Sequence, residues 1–197
     1  MFGILVAPVI VQSISQVHAS VPQPWREPGY LKVIWVDSPN LNDRPEGTII
    51  DTIVVHHTAN DSLEGTTKWF NTPESQVSAH FTIGKDGSIV QHVSTWKRAW
   101  HAGVSKDSEG RENVNNFSVG IELVNIGDGK NPYPEEQVNA LYFLIEALKR
   151  RHPLESITSH KLVAQPSGRK IDPIDFPWQK LAGLGLSIVP YVAKGKV

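Results

Sequence analysis

The chain has 197 residues, 40% of them hydrophobic and 20% charged, with a formal net charge of −1 and no cysteine. That length and composition fit one ordinary globular domain and exclude a disordered or fibrous chain. The near-neutral balance argues against nucleic acid as a partner, and the lack of cysteine excludes disulfides, thiolate metal ligands and a lipidated-cysteine anchor.

In chain order, Phe2 to Val11 is an apolar run, followed by the small-residue boundary Val17-His18-Ala19. Residues 1–19 therefore read as a signal peptide cleaved after Ala19, although no Lys or Arg precedes the run. The run is too short, and too interrupted by Pro8, for a membrane span. The expectation is a periplasmic or secreted protein without a stable membrane anchor after processing; an unprocessed cytoplasmic chain is the alternative. Residues 20–48 hold Pro22, Pro24, Pro28, Pro39 and Pro45 and read as an irregular arm.

From Ile49 to His57 the β-branched run predicts a strand buried on both faces. Ser62 to about Asn71 predicts a short helix capped by Ser62, with Trp69 and Phe70 facing inward. Two strand-like runs around Lys85-Asp86-Gly87 predict a hairpin, since Asp-Gly suits a left-handed turn. Another strand is predicted over Phe117–Val124. A long helix follows from Pro134 to about Arg151, with Val138, Leu141, Tyr142, Ile145 and Leu148 at helical spacing. Strands and helices interspersed in this way predict an α+β single domain over residues 49–182, a central sheet flanked by helices. Residues 183–197 read as a tail without a signal of their own.

Three features carry chemistry. His56 and His57 end a buried strand, where ligand sites open in α/β layers. Adjacent strand residues face opposite sides, so one of the pair serves a given site, and periodicity does not say which. His160 and Asp172 are separated by a loop containing Pro166, Gly168 and Pro173 that can fold both toward one cation. A strand-end histidine, a second histidine and a carboxylate would make a three-ligand zinc site with an open fourth position, as catalytic zinc requires. The competing reading is that the Asp-Pro pair only punctuates a turn. On Phe117–Val124, Val119, Ile121 and Leu123 share one face, and Ser118, Gly120 and Glu122 the other. A glycine beside a carboxylate leaves room for a ligand to approach the backbone; the bland alternative is a partly exposed sheet face. His80 and His92 read as core or surface residues, and Trp25, Trp35, Trp69 and Trp178 as core. His152 ends the long helix, where the dipole favours a cation.

Five ordered blocks then resemble one family. They are Val54-Val55-His56-His57-Thr58-Ala59, Val77-Ser78-Ala79-His80-Phe81, Ala99-Trp100-His101-Ala102-Gly103-Val104-Ser105, Phe117 to Leu123, and Gly168-Arg169-Lys170-Ile171-Asp172-Pro173. Together they are similar to the type-2 N-acetylmuramoyl-L-alanine amidases, relatives of peptidoglycan recognition proteins and phage lysozyme-type amidases. Ser38-Pro39-Asn40 with Arg44-Pro45 also matches the bacterial muropeptide-trimming branch.

The resemblance implies that family's mixed central sheet, a Zn2+ cofactor, and hydrolysis of the amide between N-acetylmuramic acid and L-alanine in peptidoglycan or muropeptides; a monomer is expected. It further implies His56, His160 and Asp172 as zinc ligands, Glu122 and Lys170 as catalytic groups, and Trp100 and His101 along the substrate groove. A non-catalytic recognition module on the same fold normally shows a damaged triad, whereas all three ligand positions are intact here. The loop between His160 and Asp172 is about two residues longer than the usual bacterial pattern.

Overall fold

The computed structural model describes residues 31–189; the expected signal segment, Trp25 and the start of the expected arm lie outside them. Among these residues, nine short strands and three α-helices follow one another as β1 (Val33–Trp35), β2 (Leu41–Asp43), β3 (Thr52–His57), α1 (Leu63–Phe70), β4 (Phe81–Ile83), β5 (Ile89–Gln91), β6 (Lys97–Ala99), β7 (Ser118–Leu123), α2 (Glu135–Lys149), β8 (Ser156–Ser159), α3 (His160–Val163) and β9 (Ser187–Ile188). Seven of the strands form one sheet in the order β1-β5-β4-β7-β3-β8-β9. Only the β4–β5 hairpin is antiparallel in it. The hairpin turns at Gly87, whose φ of 80° is the left-handed conformation the sequence required there. β2 and β6 pair separately, antiparallel.

Strand alternation divides the core. Ile53 and Val55 of β3 and Val119, Ile121 and Leu123 of β7 face α2, which buries Val138, Leu141, Leu144, Ile145 and Leu148 against them. Leu144 is fully enclosed there, whereas the expected Tyr142 only borders the cluster. Val54 points to the opposite side, into a smaller cluster with Ala102, Val114, Phe117 and Val163. His56 follows Val54 by two residues and so leaves the sheet on the side away from α2.

The arm and the tail are more structured than expected. The proline spacing predicted an irregular segment over 20–48, yet β1 extends the sheet beside β5 and β2 pairs with β6. Prolines flank these strands and do not interrupt them, so the ladders form. Beyond residue 182, Leu184 and Ile188 are buried in the main cluster, and β9 closes the sheet beside β8. A two-residue strand is too short for periodicity to detect.

α1 matches the expected helix, and Ser62 Oγ accepts from Gly65 N at 2.9 Å as its cap. Its inward pair divides, however. Phe70 is buried, but Trp69 is 56% exposed because adjacent helical positions point about 100° apart. α2 ends at Lys149, and His152 beyond it is buried, its Nε2 2.8 Å from Thr95 Oγ. Burial, with Arg44 and Arg151 adding to it, lowers that imidazole to about 4. His152 is therefore a neutral core residue and not the cation expected at a helix end.

Candidate active site

Three parallel strands deliver the polar groups to one edge. β3 and β7 run in register with His56 opposite Glu122. β8 pairs with β3 up to Ser159, then turns directly into α3, so His160 emerges beside them. Ser159 caps that turn by accepting from Leu162 N at 3.3 Å. The long loop after α3 returns because Lys161 N donates to the Asp172 carbonyl at 2.9 Å. Arg169 fastens the same loop by donating to the carbonyls of Ala102 and Val104 at 2.9 and 2.8 Å.

The result is a buried cluster of His56, His160 and Asp172, whose donor atoms all lie within 4.8 Å of one another. Asp172 Oδ2 stands 3.3 Å from His56 Nδ1 and 3.1 Å from His160 Nδ1. The far nitrogen of His160 faces the Ala102 carbonyl at 3.3 Å, an acceptor for an Nε2–H that would leave Nδ1 as a lone pair for a cation. Burial, with His160 adding and Asp172 opposing, lowers the His56 imidazole to about 4, so His56 is neutral at pH 7. With both Nδ1 atoms unprotonated, their lone pairs and the Asp172 oxygen would converge on one point, where a cation would relieve the repulsion. Two ligands about 2.0–2.1 Å from a tetrahedral zinc stand about 3.3–3.4 Å apart, close to the spacings here. The donor set fits a metal ion.

Glu122 is partly buried, and its Oε2 is shielded with no hydrogen-bond partner among the described residues. Burial, reinforced by Asp172 and opposed by Lys170, pushes this carboxyl up to about 8. Such a group holds or releases a proton near neutral pH.

The cluster floors a groove of roughly 580 Å³. Trp69, Val77 and Trp100 line it together with Ile126, Lys170 and Ile171. Trp100 is fixed by donating Nε1–H to Asn42 Oδ1 at 2.7 Å.

His56 and His57 diverge as strand alternation requires. His57 sits at the groove wall against Gly127, with its Nδ1 accepting from Ile174 N at 3.3 Å. His101 touches the groove, but its ring lies behind His56, with Nδ1 3.1 Å from His56 Nε2. The space at Gly120 is filled by that ring: a Cβ there would stand 2.5 Å from His101 Cδ2. The expectation that Gly120 admits a ligand is thus corrected, because a second histidine of the same chain occupies the gap. His80 and His92 are buried, His80 Nδ1 accepting from Gly120 N at 3.0 Å.

Sequence reasoning missed Ser118 as part of this centre, and also Asn115, whose Oδ1 accepts from both His101 N and Ala102 N. A glycine between apolar strand residues signalled close approach, but not what approaches.

An open three-donor set beside a shielded carboxylate, at the carboxyl edge of a largely parallel sheet, defines the class as a hydrolase with a candidate metal centre. Residues 46–175 match the Amidase_2 family, and the chain belongs to these N-acetylmuramoyl-L-alanine amidases. It is 35% identical over 169 residues to the 1,6-anhydro-N-acetylmuramyl-L-alanine amidase AmpD of Citrobacter freundii, covering 76% of this chain and 88% of that one. A selenomethionine AmpD crystal structure superposes with a TM-score of 0.67 at 33% identity, over 77% of this chain and 93% of the other. The E. coli amidase AmiD, solved with anhydro-N-acetylmuramic acid-L-Ala-D-γ-Glu-L-Lys, superposes at 0.62 with 29% identity, over 73% and 61%.

Proposed function

We propose that the protein hydrolyses the amide between the muramic acid lactyl group and L-alanine in muropeptides, with soluble anhydro forms as its substrates and zinc as its cofactor. The convergence of His56, His160 and Asp172 beneath an open groove, beside Glu122, carries this reading. The names of the AmpD relatives support the anhydro preference. Zinc held by these three residues would supply Lewis acidity and activate water near neutral pH. Glu122 takes a proton from the attacking water and returns one to the departing alanine nitrogen. Lys170, exposed at the groove, has no ion pair or hydrogen bond among the described residues, leaving its ammonium to stabilise the oxyanion developing on the lactyl carbonyl. Trp100 forms a wall against which the substrate is oriented.

The test is mass spectrometry of products from zinc-loaded protein, given anhydro-muropeptides and, separately, intact sacculi. Free stem peptide beginning with L-alanine, released faster from the soluble fragments, is expected. Cleavage within the peptide would overturn the bond assignment, and equal turnover of sacculi would overturn the preference. Elemental analysis should find about one zinc per chain, lost in His56→Ala, His160→Ala and Asp172→Ala but kept in His57→Ala. We also propose export, supported by the apolar run and the Val17-His18-Ala19 boundary; N-terminal sequencing of protein from its native host should begin at Ser20.

A further inference from the structure

Behind His56 runs a chain of hydrogen bonds whose direction is fixed from its far end. Ser118 Oγ lies 2.6 Å from the Val114 carbonyl, which can only accept, so the Ser118 proton is committed there. The hydroxyl oxygen is left as an acceptor for His101 Nε2, 3.2 Å away. A neutral imidazole with its proton on Nε2 has a bare Nδ1, and His101 Nδ1 faces His56 Nε2 at 3.1 Å. His56 must then carry its own proton on Nε2 and present an unprotonated Nδ1 to Asp172 and His160.

We propose that Ser118 and His101 are positioning residues that lock His56 into this tautomer before any metal arrives. Nothing in this relay is free to turn. Ser118 is held in β7, the His101 ring rests on Gly120, and the backbone amides of His101 and Ala102 are pinned by Asn115 Oδ1 at 3.2 and 2.8 Å. All three relay side chains are buried, so water does not offer His56 Nε2 an alternative partner. Metal-ligating histidines commonly donate their second N–H to a carboxylate, carbonyl or water. Here the acceptor is a neutral imidazole, which orients His56 without adding charge behind the centre. Gly120 acquires a specific purpose in the same arrangement, since any side chain there would displace the ring that accepts from His56.

The proposal rests on the zinc reading above, but its first test requires no metal. The imidazole 15N shifts of the chelator-treated, folded protein should report His56 protonated on Nε2. A proton on His56 Nδ1 in that spectrum would overturn the relay, whether or not the protein proves to be an amidase. The second test is zinc affinity, measured by competition with a chromophoric chelator. His101→Phe keeps a ring over Gly120 but offers no acceptor, and should weaken zinc by about 10–100-fold. His101→Asn places an amide oxygen near the lost Nδ1 and should recover much of that affinity. Ser118→Ala, which frees the His101 tautomer, should fall between them. Zinc affinity unchanged in His101→Phe, or no recovery in a folded His101→Asn, would overturn the proposal. Failure of the unmutated, zinc-loaded protein to cleave muropeptides would sink the functional reading and leave the relay standing.

Discussion

Glu122 shows how a single side chain acquires reactivity from its neighbours. On the sequence it is one carboxylate on a strand face; in the fold it lies opposite His56, with Oε2 shielded. Glu122→Gln keeps the shape and removes the proposed proton carrier. Single-turnover hydrolysis should slow by about a hundred- to ten-thousand-fold, while zinc content stays near one per chain. Loss of zinc from this variant would make Glu122 a ligand instead. A pH dependence follows as well. With the metal removed, folded Glu122 holds its proton up to about 8, whereas the ordinary value is 4.5. Between those values the folded state binds a proton that the unfolded chain has lost. The stability difference between the native chain and Glu122→Gln is then fully present below about pH 4.5 and shrinks as pH rises toward 8. Urea unfolding of both chelator-treated proteins at pH 5 and pH 8 measures that slope; a parallel pair of curves would contradict the shielded carboxyl.

At the scale of elements, each contributes to the site by where it ends. β3 and β7 stop with His56 and Glu122 in register, and β8 passes straight into α3 so that His160 appears at the same edge. α1 contributes differently, burying Phe70 and placing Trp69 on the groove. Its first turn relies on the Ser62 side-chain cap, in an eight-residue helix too short to be stable alone. Ser62→Ala should cost about 1 kcal/mol in urea unfolding, with a rise in KM exceeding any fall in kcat. An equal loss of kcat would indicate that the α1 cap also controls the catalytic groups.

For the molecule as a whole, the arm is held by Arg44. Its guanidinium donates to the carbonyls of Thr95, Asn115, Asn116 and Ser118, at 2.5–3.2 Å. Burial, with Arg98 adding to it, lowers Arg44 to about 10, yet it stays charged at neutral pH. Among the described residues no carboxylate pairs with it; the carbonyl cage compensates its charge. Asn40 adds three donations, to Thr72 O, Ser75 Oγ and Val77 O. Because Arg44 joins the arm to the backbone entering β7, Arg44→Ala should destabilise the whole domain by roughly 2–4 kcal/mol, with the urea midpoint as the readout. A loss below about 0.5 kcal/mol would mean that the cage is satisfied by water.

Helix α2, the β4–β5 hairpin and strands β3 and β7 were legible in the sequence because their signals are local. Periodicity spans a whole helix, Asp-Gly encodes a turn, and alternating apolar residues name the buried face. The ordered blocks also identified the family, and they named His56, His160, Asp172, Glu122 and Lys170 as candidates. What residue order alone could not decide was contact between segments far apart in the chain. The choice of His56 over His57, open on periodicity, came only from the resemblance; the register of β3 with β7 and β8 puts His56 opposite Glu122 and near the end of β8. Arm strands β1 and β2 and terminal strand β9 exist because partners at residues 89–99 and 156–157 complete their ladders, and two or three residues carry no period. Ser118, His101 and His56 form a relay only after the segment following β6 meets strands β7 and β3, 17 and 45 residues away, and no local pattern records a hydrogen bond closed by tertiary packing.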